Sequence, residues 1–264
     1  MLALFAGQGA LPGKVISQLP QWPLIIGLVG QEPDELLPEI SFRLEHLGSV
    51  ITRLKDGGVT EICFAGSIAR PNLDLSELDV ATAPLVPQIL AAMDAGDNGA
   101  LKAVIEIFEG EGIAVKGVAD LAPGLSVGPE HTVGECSKLS DADVQRGFDV
   151  LAGLSSLDLG QACVVKLRQV LAVEAMGGTA WMLETLEQRN SKMLRGGVLI
   201  KGPKAQQDMR VDVPTIGPDT IEQAHRAGLD GIALVEGQVI VLDPEMVAEN
   251  CQRFGLFLAV VPAP

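Results

Sequence analysis

A two-domain α/β protein is what this sequence predicts: an N-terminal Rossmann-like parallel-sheet domain and a C-terminal mixed α/β domain, with a cleft between them. Three observations carry the prediction. Apolar runs of strand length alternate with helix-spaced segments through the first half, the pattern of a parallel sheet covered on both faces. Residues 120–140 lose that periodicity and gain Gly and Pro, marking a break. The chain has 264 residues, 47% of them hydrophobic, enough for two ordinary cores.

Taken in order, Leu2–Ala6 reads as a strand, followed by the turn Gly7-Gln8-Gly9-Ala10-Leu11-Pro12 and a short helix. Leu24–Val29 is a second strand, Leu47–Lys55 has helical spacing, and Thr60–Ala65 is a third strand running into Gly66-Ser67-Ile68-Ala69-Arg70-Pro71. Leu85–Met93 and Ala100–Glu109 are helical and Ile113–Val118 strand-like. These place an N-terminal domain over 1–125, a linker over 126–139 and a C-terminal domain over 140–264. Ser140-Asp-Ala-Asp opens the second domain with an N-cap signature. Gln161–Glu174 is strand-rich, broken by the polar Lys166-Leu167-Arg168-Gln169. Thr179–Gln188 reads as a helix, Val198–Lys201 as a strand and Pro218–Ala227 as a helix. Leu234–Leu242 contains Glu236-Gly237-Gln238, a hairpin-turn candidate; Pro244–Phe254 is helical and Leu256–Val261 a last strand.

Composition excludes several functions. With 34 acidic and 19 basic residues the formal charge is −15, and no basic stripe offsets it, so nucleic acid is not the partner. An anionic substrate would need a local cationic cluster or a metal ion. Aromatics are 3% with no tyrosine, so the core should be aliphatic. Cys63, Cys136, Cys163 and Cys251 are far apart without a CxxC pair and read as reduced, in keeping with a cytoplasmic chain. The start of the chain lacks a charged signal-peptide region, and no apolar run reaches membrane-spanning length. No HExxH, Walker A loop, Gly-x-Ser-x-Gly elbow or zinc framework occurs, and His46, His131 and His225 show no ligand spacing.

Four segments could carry chemistry. The densest is Lys201–Gly217, which follows an apolar strand and gathers two lysines, an arginine and two aspartates between Gly and Pro residues. Lys201 and Lys204 suit a diphosphate, and Arg210 can grip one phosphate through two N–H groups. Asp212, framed by Val211, Val213 and Pro214, suits a hard cation or an attacking water, whereas Asp208 reads as an exposed loop acid. The Gly7–Leu11 turn offers backbone N–H groups to a phosphate, or is simply a tight turn, since the third glycine of a dinucleotide fingerprint is missing. Arg70, after Gly66 and Ser67, could hold a phosphate, a uracil or a sugar oxygen, or be a surface residue on a capped turn. Glu174 could bind a metal or a sugar hydroxyl; Thr179 suits a helix N-cap.

In chain order, Gly7-Gln-Gly-Ala-Leu-Pro12, Phe64-Ala-Gly66 with Arg70-Pro71, Leu157-Asp-Leu-Gly160-Gln161, Leu171-Ala-Val-Glu174-Ala, Gly178-Thr179, Lys201-Gly-Pro-Lys204 and Arg210-Val-Asp-Val-Pro-Thr-Ile-Gly217 form a recognisable set. The chain resembles the UDP-2,3-diacylglucosamine pyrophosphatases of the non-metallophosphoesterase type, which act in lipid A synthesis in certain Gram-negative bacteria. That resemblance spans nearly the whole chain. It implies Mg²⁺-dependent hydrolysis of UDP-2,3-diacylglucosamine to 2,3-diacylglucosamine 1-phosphate (lipid X) and UMP, with substrate held between two domains. It makes Asp212 the essential aspartate and the metal-binding candidate. Substrate-contacting candidates are Gly9, Ala10, Leu11, Gly66, Ser67, Arg70, Gln161, Glu174, Thr179, Lys201, Lys204 and Arg210. Gln8 departs from the glycine often found there. The expected partner is a lipid-linked nucleotide sugar, with peripheral contact at the inner membrane and homodimer formation both open. A different nucleotide-sugar hydrolase, or a non-catalytic lipid- or nucleotide-binding protein, are the rival readings.

Overall fold

Leu2–Ala6 (β1) is buried from Ala3 onward and has a parallel partner on each side, which is why it is apolar throughout. The computed structural model describes residues 1–69, 73–94, 97–188, 195–205 and 207–263. They form two compact units: 1–124 with 208–212, and 125–207 with 213 to the C-terminus.

In the first unit, β1 is followed by α1 (Leu11–Gln18), β2 (Leu24–Leu28), β3 (Ile40–Phe42), α2 (Leu47–Asp56) and β4 (Glu61–Ala65). Next come α3 (Val86–Asp94), α4 (Asp97–Gly110), β5 (Ala114–Lys116) and the short α5 (Val118–Leu121). All five strands run parallel in the order β3-β2-β1-β4-β5. The order reverses direction beside β1, so the carboxyl ends of β1 and β4 flank the topological switch point where open α/β sheets bind ligands. β3 escaped the sequence reading; it is three residues long, with Ile40 and Phe42 buried and Ser41 exposed.

The expectation of an aliphatic core fails on one face of this sheet. Phe5 packs on Phe42 and Phe64, and Phe64 on Phe108, with ring centroids 5.3–5.5 Å apart. Scarce aromatics are thus concentrated in one cluster, where tilted ring pairs add roughly 0.5–1.5 kcal/mol each beyond burial. Leu47, Val50, Ile51 and Leu54 of α2 complete that side.

The second unit begins with residues expected to form a linker. They do more than connect: Val127 is buried and its N–H bonds to Val239 O, while Val133 bridges Leu258. Then follow α6 (Asp141–Ser155), β6 (Ala162–Lys166), β7 (Gln169–Val173), α7 (Gly178–Glu187), β8 (Val198–Lys201) and β9 (Thr215–Ile216). The chain closes with α8 (Pro218–Arg226), β10 (Gly231–Val235), β11 (Ile240–Val241), α9 (Pro244–Phe254) and β12 (Phe257–Val261). Ser140 caps α6 by accepting the Asp143 N–H. The main sheet is mixed, β12-β10-β8-β6-β7, parallel from β12 to β8 and antiparallel across β6 and β7. Leu167 and Arg168, with φ of 50° and 62°, make the tight β6–β7 hairpin, both central residues being left-handed as such a turn demands.

Glu236-Gly237-Gln238 is a turn but not a hairpin. β10 pairs with β8 and β12, and β11 leaves the main sheet to pair in parallel with β9. The apolar run on either side of Gly237 is shared between two sheets, a division that alternation alone cannot reveal.

Candidate functional site

In the first unit, the loops after β1 and β4 meet at the switch point. Gln8 and Ser67 exchange backbone hydrogen bonds of 2.9 and 3.0 Å, and Gly7 N donates to Ala65 O at 2.8 Å. Gly66 must be glycine: its φ is +91°, and a Cβ would lie 2.7 Å from the Gly7 carbonyl carbon. Gly9, Ala10, Gly66 and Ser67 therefore share one surface beside the start of α1 at Leu11. Ala10 caps that helix without a side-chain bond, and Pro12 in the first turn has no N–H to satisfy. Arg70 lies outside the described residues.

The segment 208–212 joins this same unit. It docks on Gly117 at the carboxyl end of β5, where a Cβ would stand 3.3 Å from Arg210 Cα, and Val211 packs against the phenylalanine-containing core. Arg210 is not an uncommitted phosphate clamp. Its Nε and one terminal nitrogen bind the Asp208 carboxylate at 3.0 and 2.8 Å, and the other terminal nitrogen binds Glu109 at 2.8 Å. Asp208 is thus more than an exposed loop acid: the forked bond from Arg210 holds its carboxyl below the usual range, and the same bond raises the guanidinium pKa. Asp212 N donates to Asp208 O at 3.2 Å, fixing the turn that carries Asp212. Among the described residues Asp208, Asp212, Glu109 and Arg210, carboxylates outnumber the guanidinium three to one.

The second unit assembles most of the other candidates. Lys201 ends β8, as the sequence predicted, and is buried rather than open to a ligand. Its Nζ donates to Thr179 Oγ1 at 2.7 Å and lies 3.7 Å from Glu174 Oε2; Thr179 Oγ1 in turn donates to Glu174 Oε2. Thr179 is therefore not the N-cap of α7. Gly177 holds that position, which leaves the hydroxyl available to link lysine and glutamate. Glu174 Oε1 accepts the Gln161 N–H at 3.3 Å. Gly160 permits this closeness, since a Cβ there would sit 2.3 Å from Glu174 O. Gln161 Oε1 accepts from Gln207 Nε2 at 3.0 Å, Gln207 Oε1 accepts the Lys204 N–H at 2.8 Å, and Lys204 Nζ binds Asp158 at 2.7 Å. Gln161, Glu174, Thr179, Lys201 and Lys204 are thus brought into one bonded network.

Sequence reasoning missed the carboxylates that hold these cations, Asp158 and Glu109. Asp158 stands in the Leu157–Gln161 motif, so its signal was present; Glu109 is 101 residues from Arg210 and gave none. Among the described residues, no three His, Cys, Asp or Glu side chains converge as a metal cage, and no helix is long and apolar enough to cross a membrane. Burial pushes the Cys63 and Cys163 thiols up to about 12, which makes them inert as nucleophiles near neutrality. All four cysteines are free.

Comparison with known proteins matches both halves to one family. Residues 1–125 match the LpxI N-terminal domain and residues 130–259 the LpxI C-terminal domain. UDP-2,3-diacylglucosamine pyrophosphatase LpxI of Caulobacter vibrioides is 33% identical over 269 aligned positions, spanning 97% of this chain and 96% of that protein. A solved dCMP deaminase from the cyanophage S-TIM5 aligns with 47% of the chain at 14% identity and a TM-score of 0.31, too loose a match to bear on fold or activity.

Proposed function

Because the chain belongs to the LpxI family, we propose that it cleaves the diphosphate of UDP-2,3-diacylglucosamine in lipid A synthesis, yielding lipid X and UMP. The observation that carries this reading is the end-to-end match to a curated pyrophosphatase together with both family domains. In the reaction, water adds to one phosphorus and the bridging oxygen leaves with the other phosphate. Such chemistry depends on neutralised phosphate charge and a positioned water more than on covalent help from the protein.

Asp212 is the residue we assign to the reacting centre. It sits on a turn braced by the Asp208–Arg210 pair, at the carboxyl edge of the parallel sheet. A Mg²⁺ ion suits this donor set. Lys201, Lys204 and Arg210 each face a protein carboxylate, so they bring little net positive charge to a diphosphate. Magnesium is commonly held by one or two carboxylates plus substrate phosphates, so Asp212 suffices as an anchor without a closed protein cage. When bound, the ion supplies the positive charge that the phosphate oxygens require. Asp212 then orients the water or holds the ion, and Lys201, Lys204 and Arg210 position phosphate oxygens by exchanging part of their carboxylate contacts. We assign Gly9, Ala10, Leu11, Gly66 and Ser67 to nucleotide contact through the backbone, and Gln161, Glu174 and Thr179 to polar contact with the sugar. The substrate implies work at a bilayer surface, with the chain touching it from the cytoplasmic side.

Asp212→Ala tests the assignment. It should leave the thermal transition in place and abolish UMP release. Near-normal turnover would remove Asp212 from the reacting centre. Cleavage of UDP-N-acetylglucosamine as efficient as that of the acylated substrate would instead favour a broader nucleotide-sugar hydrolase.

A further inference from the structure

We propose that a cavity at the carboxyl ends of β2 and β3 receives the uracil ring of the nucleotide, with the Gln31 side-chain amide reading its imide edge. The choice of base rests on the uridine substrate proposed above; the site itself rests on the first unit alone. The cavity measures about 230 Å³, and its wall includes Leu28, Phe42 and Leu44 on the apolar side with Gln31, Arg43 and Glu45 as its polar groups. Whole small-molecule sites run to roughly 300–1,000 Å³, so this volume suits one ring of a larger ligand.

Gln31 Oε1 is buried and has no hydrogen-bond partner among the described residues. Buried acceptors are nearly always satisfied, and one that is not calls for an explanation such as a ligand. The neighbouring Glu45 cannot play the same part, because its oxygens already accept from Asp74 N at 2.8 Å and Arg43 Nε at 3.3 Å. A group that inserts here must present a donor to Gln31 Oε1 and an apolar face to Phe42 and the leucines. Uracil does both: N3–H donates to Oε1, a flanking carbonyl can accept from the same side-chain amide, and the other carbonyl suits the Arg43 guanidinium. In that same pose cytosine presents a lone pair at N3, which opposes Oε1, and it must shift along its edge to offer N4–H instead.

Topology supports the placement. β2 lies one strand spacing, about 5 Å, from β1, whose terminal loop carries Gly7 and Gly9. A nucleotide whose phosphates sit at the β1–β4 switch point can lay its base across the ends of β2 and β3. Side-by-side strands thus separate phosphate and base contacts without a long loop.

The test compares UMP and CMP binding by calorimetry for the wild-type protein and for Gln31→Leu, with amide hydrogen exchange following residues 28–31 and 42–45. UMP should bind wild type tighter than CMP and slow exchange in both stretches. Gln31→Leu should lose roughly tenfold in UMP affinity, the fold-change expected from one hydrogen bond in a buried site, and should stop discriminating between the bases. Arg43→Met, which leaves Gln31 in place, should weaken UMP while retaining preference over CMP. If Gln31→Leu melts normally yet binds UMP within twofold of wild type, or if protection appears elsewhere, the base site is wrong even where wild type still releases UMP from the lipid substrate. UMP binding with protection at 28–31 and 42–45, but no turnover of that substrate, would leave the base site standing and refute the proposed reaction.

Discussion

Replacing Lys201 by Met keeps the methylene stem and removes the charge from the best-buried ion pair among the described residues of the second unit. The Lys201 and Glu174 side chains are only 5% and 8% exposed. Without the ammonium, Glu174 keeps the Thr179 hydroxyl and the Gln161 N–H but stands as a buried carboxylate without its counter-charge. Breaking a buried pair from one side costs about 3–5 kcal/mol, and the two remaining donors place this case near the lower end. At roughly 2–4 °C per kcal/mol for a protein of this size, about 3 kcal/mol lowers the melting temperature by roughly 6–12 °C. Urea unfolding followed through Trp181, on the same helix as Thr179, measures the loss directly. Adding Glu174→Gln to Lys201→Met should recover about 1–2 kcal/mol, because a neutral amide replaces the stranded charge. A loss below about 1 kcal/mol, the worth of an ordinary surface pair, would show that Lys201 does not neutralise a buried Glu174 charge. So would a double variant no more stable than the single one.

Two further predictions concern the first unit. Gly66→Ala and Gly9→Ala both place an L-residue at φ +91°, but only the first drives a Cβ into backbone, so Gly66→Ala should cost about 2–4 kcal/mol and Gly9→Ala about 1 kcal/mol in thermal unfolding. Asp208 has a folded pKa below its unfolded value near ~3.9, so its contribution to stability is present above that pH and lost as pH falls through the folded pKa. Asp208→Asn should accordingly flatten the fall in stability below about pH 4 in acid titration, modestly, since the pair is partly exposed.

How much the sequence could reveal differs between levels. β1, β4 and β8 were readable because strands flanked on both sides are apolar along most of their length. α6 was readable from Ser140, whose cap is local. β3 was not, since three residues carry too little pattern, and neither was the split of the run around Gly237 between two sheets. The charged segment after β8 was conspicuous as composition, yet its physical state was hidden. Lys201 and Lys204 looked like cations suited to a diphosphate and are buried in ion pairs whose partners, Glu174 and Asp158, lie 27 and 46 residues away. Thr179 looked like a cap because caps are common, whereas its hydroxyl serves a partner that only tertiary folding supplies. The membership of 208–212 in the first unit depends on Gly117 and Glu109, positions no local rule connects to Arg210.

The proposed reaction is tested most directly by incubating the purified protein with radiolabelled UDP-2,3-diacylglucosamine, with Mg²⁺ and with a chelator in its place. Stoichiometric lipid X and UMP should form with Mg²⁺ and almost none with the chelator. Substrate recovered intact after prolonged incubation with Mg²⁺ would contradict it.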